Sequence, residues 1–125
     1  MPNKLVMIVE DDDVIRGIAR KIVERQGYNV DDFAHGLAAY RKLVELHTEG
    51  KTNHYRMILS DIDMPEMDGI VFARECSNLA EKTPVVLMTG RPRPDYPVNV
   101  KEVLEKPFGI TEYKRILETY AHLRA

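Results

Sequence analysis

Residues 55–69, with the sequence YRMILSDIDMPEMDG, decide the fold of this chain. The first six residues are largely apolar and have the length of a buried strand, and Asp61 follows them directly. In the loop after Asp61, Pro65 and Gly69 are residue types that shape a tight turn. From residue 69 to about residue 79 the apolar positions follow helical spacing. A buried strand that leads through a short loop into a helix is the repeating unit of a parallel sheet.

The rest of the chain repeats this alternation on both sides of that stretch. Further strands are predicted at residues 5–9, 28–33, 84–88 and 100–105, and further helices at 13–26, 36–47 and 111–123. Strands that alternate with helices predict an α/β fold, in which a doubly wound five-stranded parallel sheet is covered by helices on both faces. A length of 125 residues is typical of one domain, so residues 1–125 are predicted to form a single domain.

The connection between the fourth and fifth strands departs from this pattern. It contains the run RPRPDYP at residues 91–97. Pro92, Pro94 and Pro97 each lack a backbone donor, and each disfavours helical angles in the residue before it. The fourth helix is therefore predicted to be shortened or irregular.

Composition excludes several classes of function. With 18 basic and 20 acidic residues the net charge is −2, so no overall field attracts the chain to nucleic acid or to an anionic membrane. The apolar run near the amino terminus is too short for a signal peptide, and no apolar stretch reaches the length of a membrane span. We therefore expect a cytoplasmic protein without direct nucleic-acid or membrane binding, in which the single cysteine, Cys76, is a reduced thiol that is buried or half-buried.

Reactive residue types occur where four predicted strands end. Glu10 with Asp11, Asp61, Thr89 and Lys106 occupy these positions, and the carboxyl ends of parallel strands lie at one edge of a sheet. Three clustered carboxylates repel one another unless a hard divalent cation such as Mg²⁺ lies among them. Lys106 could then neutralise an incoming phosphoryl group and Thr89 could donate a hydrogen bond to it, while Asp61 acts as the nucleophile.

This arrangement resembles the receiver domains of bacterial response regulators, and the resemblance covers essentially the whole chain. The motifs that carry it are VMIVEDD (6–12), LSDIDMPEMDG (59–69), VVLMTG (85–90) and LEKPF (104–108). The resemblance implies a flavodoxin-like sheet with strand order 2-1-3-4-5. It also implies a phosphoacceptor that is not a conventional turnover enzyme, whose partners are a histidine kinase or phosphotransfer protein as the donor and an unknown downstream protein.

The same resemblance assigns a role to each residue at the strand ends. Asp61 becomes the phosphoacceptor, and Glu10, Asp11, Asp61 and the backbone carbonyl of Asp63 become the ligands of Mg²⁺. Thr89 and Lys106 would contact the phosphoryl group.

Three further positions concern the lifetime of the phosphate and the switching mechanism. The side chains of Asp63 and Arg91 lie where family members adjust the lifetime of the phosphorylated state. The sequence does not specify whether these two residues lengthen or shorten it. Family members usually carry an aromatic residue three positions before the lysine, where this chain has Val103. The usual aromatic switch is therefore predicted to be absent, and the surface around the fourth helix is predicted to be remodelled.

Two alternatives compete with phosphoacceptance. Asp61 and Asp63 form the D-x-D pattern of haloacid-dehalogenase-like phosphohydrolases, with Thr89 and Lys106 in the place of later motifs. That family needs a further acidic motif downstream and room for a substrate pocket, and the sequence offers neither. The second alternative is a receiver-like scaffold that is not phosphorylated. Val103 and the irregular fourth helix favour this scaffold, whereas the intact set of reactive residues opposes it.

Overall fold

The computed structural model describes residues 4–64, 66–91 and 95–122. Pro65, Pro92 and Pro94, for which the sequence predicts effects on turns and on the fourth helix, lie outside these ranges. The strands are β1 Leu5–Val9, β2 Asn29–Phe33, β3 Met57–Asp61, β4 Val85–Thr89 and β5 Val100–Glu105. All pairings are parallel, in the order β2-β1-β3-β4-β5, which confirms the predicted fold class.

Four α-helices accompany the strands in the described ranges: α1 Asp13–Arg25, α2 Gly36–Thr48, α3 Gly69–Leu79 and α4 Ile110–Ile116. The chain continues from α4 as a π-helical turn, Leu117–Ala121, so the prediction of one regular helix over residues 111–123 was wrong over these five residues. The wider turn brings Arg115 and Tyr120, five residues apart, to the same Glu102 carboxylate on β5. Within the described ranges, no helix combines the length and the apolar character needed to cross a bilayer.

Both faces of the sheet are buried, as the continuous apolar strands predict. On one face, α2 and α3 pack through residues such as Leu43 and Phe72 against strand residues such as Ile58. On the other face, α1 and α4 pack through residues such as Val23 and Ile116. Every residue of β3 and β4 is buried, which fixes the carboxyl ends of these strands in the middle of the sheet.

The connection from β4 to β5 contains no helix in its described residues, 90–91 and 95–99, which agrees with the prediction that the fourth helix is shortened or irregular. Tyr96 and Val103 both pack against the cluster that α2 and α3 cover. The Nδ2 atom of Asn99 donates a hydrogen bond to the carbonyl oxygen of Ala73 in α3, at 2.7 Å. A segment without a helix in its described residues, which turns at residues 98–99, thus lies beside α3.

Candidate functional site

Three acidic side chains meet where β1 and β3 end. The two strands are paired in register, with Val9 opposite Ser60. The next residues, Glu10 and Asp61, are therefore neighbours. Carboxylate oxygens of Glu10, Asp11 and Asp61 lie within 4.8 Å of one another. Glu10 and Asp61 are buried and Asp11 is exposed. Such a set of oxygen donors, open to solvent on one side, fits a hard divalent cation.

Lys106 supplies the positive charge of this cluster. Its Nζ atom lies 2.7 Å from Oε1 of Glu10 and 3.2 Å from Oδ2 of Asp61. The lysine follows β5, and its backbone N–H donates to the carbonyl oxygen of Thr89 at 2.8 Å, which extends the pairing of β4 and β5 by one residue. The ammonium group therefore bridges two buried carboxylates that would otherwise repel each other.

Burial shifts the acid–base properties of these groups. It raises the pKa of the Glu10 carboxyl to about 7, against the lowering effect of the hydrogen bond from Lys106. Burial also raises the pKa of Asp61, and the charge of Lys106 again opposes the shift. Burial disfavours the charge on Lys106 itself, but the hydrogen bond to Glu10 and the nearby charge of Asp61 outweigh it and raise the pKa of the amine. The lysine is therefore charged at neutral pH, whereas Glu10 is close to its titration midpoint.

Thr89 lies at the same edge, at the end of β4, and is fully buried. Its hydroxyl donates to the carbonyl oxygen of Arg91 at 3.1 Å and accepts from the N–H of Arg91 at 3.0 Å. The backbone N–H of Asp63 donates to Oδ1 of Asp61 at 3.3 Å, and the side chains of Asp63 and Arg91 belong to exposed residues. The sheet thus brings all the predicted residues to one edge, but the hydroxyl of Thr89 is bound to the following loop rather than to the acids.

The loop after Asp61 is held close to the strand by Gly69. The backbone N–H of Gly69 donates to the carbonyl oxygen of Ile62 at 2.8 Å. A Cβ atom at position 69 would lie 2.6 Å from Cα of Ile62 and closer still to the carbonyl oxygen of Asp61. Only glycine permits this approach, so Gly69 helps to set the position of the Asp61 backbone.

The sequence did not predict how Glu10 is fixed in place. Asp12 is the N-cap of α1, and its own N–H donates to Oε2 of Glu10 at 3.1 Å. Arg16, one turn further along α1, donates from Nη1 to the carbonyl oxygen of Glu10 at 2.9 Å. Helical spacing could have placed Arg16 near the start of α1, but only the folded turn shows that it reaches back to Glu10.

Comparisons with known proteins indicate the same class of protein as the fold and the site do. The family model for the response regulator receiver domain matches residues 6–118. The response regulator receiver protein CpdR of Brucella abortus is 33% identical over 121 residues, which cover 92% of this chain and 94% of CpdR. The transcriptional regulatory protein SrrA of Staphylococcus aureus is 31% identical over 86 residues, which cover 69% of this chain but only 32% of SrrA.

Among solved structures, the receiver domain of the sensor histidine kinase PA1611 from Pseudomonas aeruginosa, with magnesium coordinated in its active-site cleft, has a TM-score of 0.80. It is 24% identical, and the match covers 96% of this chain and 98% of that domain. This chain belongs to the response regulator receiver domain family, the domain family of two-component signal transduction. Neither the phosphohydrolase nor the scaffold alternative finds support in these comparisons.

Proposed function

We propose that residues 1–125 act as one receiver domain that accepts a phosphoryl group on the carboxylate of Asp61 and thereby changes its contacts with a downstream protein. The observation that carries this proposal is the placement of Asp61. Its buried carboxylate lies 3.2 Å from the Lys106 ammonium and within 4.8 Å of carboxylate oxygens of the acids that follow β1. A nucleophile next to a fixed positive charge and a set of cation ligands is the arrangement that phosphoryl transfer requires.

Mg²⁺ fits the acidic cluster because three carboxylates supply closely spaced oxygen donors. The carboxylates of Glu10, Asp11 and Asp61 and the backbone carbonyl of Asp63 would hold the ion. When bound, it would neutralise negative charge on the phosphoryl oxygens and align them with the acceptor. The magnesium in the cleft of the PA1611 receiver domain supports this assignment.

The donor is a phosphohistidine on a histidine kinase or phosphotransfer protein, which we expect to meet this chain in the cytoplasm. A carboxylate oxygen of Asp61 attacks the phosphorus atom and forms an acyl phosphate. The bond between phosphorus and the imidazole nitrogen breaks, and its electron pair stays on the imidazole. The ammonium of Lys106 stabilises charge on the phosphoryl oxygens from its position 3.2 Å from Asp61.

Two neighbouring loops would adjust the phosphorylated state. For Thr89 to donate its hydroxyl to the phosphoryl group, it must release the carbonyl oxygen of Arg91. Phosphorylation would therefore remove a hydrogen bond that shapes the start of the β4–β5 connection and would change the surface offered to a partner. Asp63, two residues after the acceptor, and Arg91, two residues after Thr89, have exposed side chains. We expect these side chains to flank the phosphoryl group and to affect the access of water, and so the lifetime of the acyl phosphate.

Beryllofluoride, a non-covalent mimic of the phosphoryl group, tests this proposal. We expect the backbone amide resonances of residues 61–63 and 89–91 to shift when Mg²⁺, beryllium and fluoride are all present, and to stay in place when any one is omitted. Asp61→Asn should abolish the shift, and Asp31→Asn, which changes an acid in the middle of β2, should not. Unchanged spectra of the folded wild-type chain would refute the proposal.

Magnesium affinity should depend on pH because of Glu10. Below a pKa of about 7 the carboxyl of Glu10 holds a proton that the cation must displace, so affinity should rise with pH through this range and level off above it. Calorimetric titration between about pH 6 and pH 8 should show a change of up to about tenfold per pH unit on the acid side. Glu10→Gln should bind more weakly and with a shallower pH dependence. An equally steep dependence in this variant would show that Glu10 is not the group that titrates.

A further inference from the structure

A polar cavity lies at the amino-terminal ends of the strands, at the opposite edge of the sheet from Asp61. Its volume is about 480 Å³, a size typical of small-molecule sites. The residues that line it include Arg56, Lys82, Lys101, Thr119, Tyr120 and His122. They supply three permanent positive charges and one histidine, and none of the described residues that line the cavity is acidic. We call it the basic cavity.

The parallel sheet itself creates this concentration of charge. Arg56 directly precedes β3, Lys82 lies shortly before β4, and Lys101 lies at the start of β5. Parallel strands begin at one edge, so the three cations are brought together there although they are far apart in sequence. The chain as a whole has a net charge of −2, and acids cluster at the opposite edge. The basic cavity therefore has a local positive potential that the overall charge does not reveal.

An irregularity in β5 determines where Lys101 points. Val85 pairs with Val100 and Val86 pairs with Glu102, so Lys101 is an extra residue between two paired positions. Such a bulge bends the strand and redirects the side chain at the extra position. Lys101 is exposed and lines the basic cavity.

The acid next to Lys101 is already paired with other groups. Nη1 of Arg115 donates to Oε1 of Glu102 at 2.9 Å, and Nη2 of the same arginine contacts Oε2. The hydroxyl of Tyr120 donates to Oε1 of Glu102 at 2.7 Å. Glu102 is thus paired with Arg115, which also lies 3.6 Å from Glu112, rather than with the lysines of the basic cavity. These lysines can therefore attract another anion.

We propose that the basic cavity binds a small molecule that carries two or more linked phosphate groups. Guanidinium groups bind phosphate oxygens in pairs and lysines bind them as point charges, so Arg56, Lys82 and Lys101 suit such a ligand. The cations lie at or just before the starts of three different strands, and a single phosphate would engage only part of them. The Tyr120 ring and Pro84 add apolar surface for an organic group such as a nucleoside.

This site is separate from the phosphoacceptor. The five residues of β3 place Arg56 about 16 Å from Asp61, so a ligand at one site does not contact the other. Evidence for or against polyphosphate binding therefore leaves the proposed function of Asp61 untouched.

Calorimetric titration of the metal-free chain with pyrophosphate, at low ionic strength, tests the proposal. We expect saturable binding that is at least about tenfold tighter than that of orthophosphate and that weakens as salt is added. The double variant Lys82→Gln/Lys101→Gln should bind pyrophosphate about tenfold more weakly. The control variant Lys21→Gln/Lys51→Gln removes the same charge elsewhere and should bind like the wild type, as should Asp61→Asn.

Tighter binding of ADP than of pyrophosphate would assign the ligand to the nucleotides, and equal binding would assign it to inorganic polyphosphates.

Three results would overturn the proposal. Equal losses in the two double variants would show that only net charge matters, and equal binding of orthophosphate and pyrophosphate would show a general anion site. Tighter binding of an oligoglutamate peptide than of pyrophosphate would identify the surface as a docking site for an acidic protein. All four lysines are on the surface, at most partly covered by their neighbours, so circular dichroism should show that both double variants fold like the wild type.

Discussion

Replacing Lys106 with methionine is expected to slow phosphorylation of this chain by acetyl phosphate by about 10²–10³-fold, the usual cost of removing one donor that stabilises charge in a transition state. Methionine keeps an unbranched side chain of similar length but removes the ammonium group that lies 3.2 Å from Asp61 and 2.7 Å from Glu10. The charge on the transferring phosphoryl group then has no lysine to stabilise it.

Lys106 has two effects: it stabilises charge on the phosphoryl group, and it lowers the pKa of the acceptor carboxyl. The pH dependence of the variant separates them. Lys106 lowers the pKa of both buried carboxyls, so its loss should raise the pKa of Asp61 further and leave less of the nucleophilic carboxylate at neutral pH. The phosphorylation rate of Lys106→Met should therefore recover in part as the pH is raised. Lys21→Met, an exposed change in α1, serves as the control. Equal initial rates for Lys106→Met and this control would contradict the role given to Lys106.

Gly69→Ala is expected to lower the free energy of unfolding by about 3 kcal/mol, at the upper end of the cost of overpacking. The new methyl group would meet the backbone of Asp61 and Ile62, with 2.6 Å to Cα of Ile62. The backbone cannot give way as a flexible side chain can, so α3 or the end of β3 must move. Urea unfolding followed by circular dichroism measures the loss.

Gly17→Ala is the matched control for this change. Gly17 lies inside α1 and has no atom within 4 Å of the position of a new Cβ. Alanine there removes the entropic cost of a helical glycine and should stabilise the chain by up to about 1 kcal/mol. Opposite signs for the two variants are the expected result. If Gly69→Ala were as stable as the wild type, the close approach of α3 to the acceptor strand would be wrong.

Much of the fold could be predicted from the sequence because the strands carry their own signal. The apolar runs of β1, β3 and β4 leave no polar side for solvent, so each must be covered on both faces, and the intervening helices can cover them only in a parallel sheet. The convergence of Glu10, Asp61, Thr89 and Lys106 at one edge then follows from the topology alone.

Other features depend on contacts between distant parts of the chain, which no local pattern shows. Sequence periodicity continues through Leu117–Ala121, and the π-helical turn there accompanies the contacts of Arg115 and Tyr120 with Glu102. The hydroxyl of Thr89 has the right position for the site, but its hydrogen bonds are made with the backbone of Arg91. Side-chain orientation and helix type therefore depend on tertiary contacts. The pattern of strands, by contrast, determines which residues lie at the edge of the sheet that carries Asp61.

Intact-mass spectrometry after incubation with acetyl phosphate and Mg²⁺ tests the central claim most directly. We expect the wild-type chain to gain the mass of one phosphoryl group, as an adduct that is stable in acid, labile in base and absent without Mg²⁺. Asp61→Asn should gain nothing, and Asp63→Asn, which alters a nearby acid but keeps the Asp63 backbone carbonyl, should still be modified. An equal adduct on Asp61→Asn would place the acceptor elsewhere, and the absence of any adduct on a wild-type chain that binds beryllofluoride would contradict phosphoacceptance.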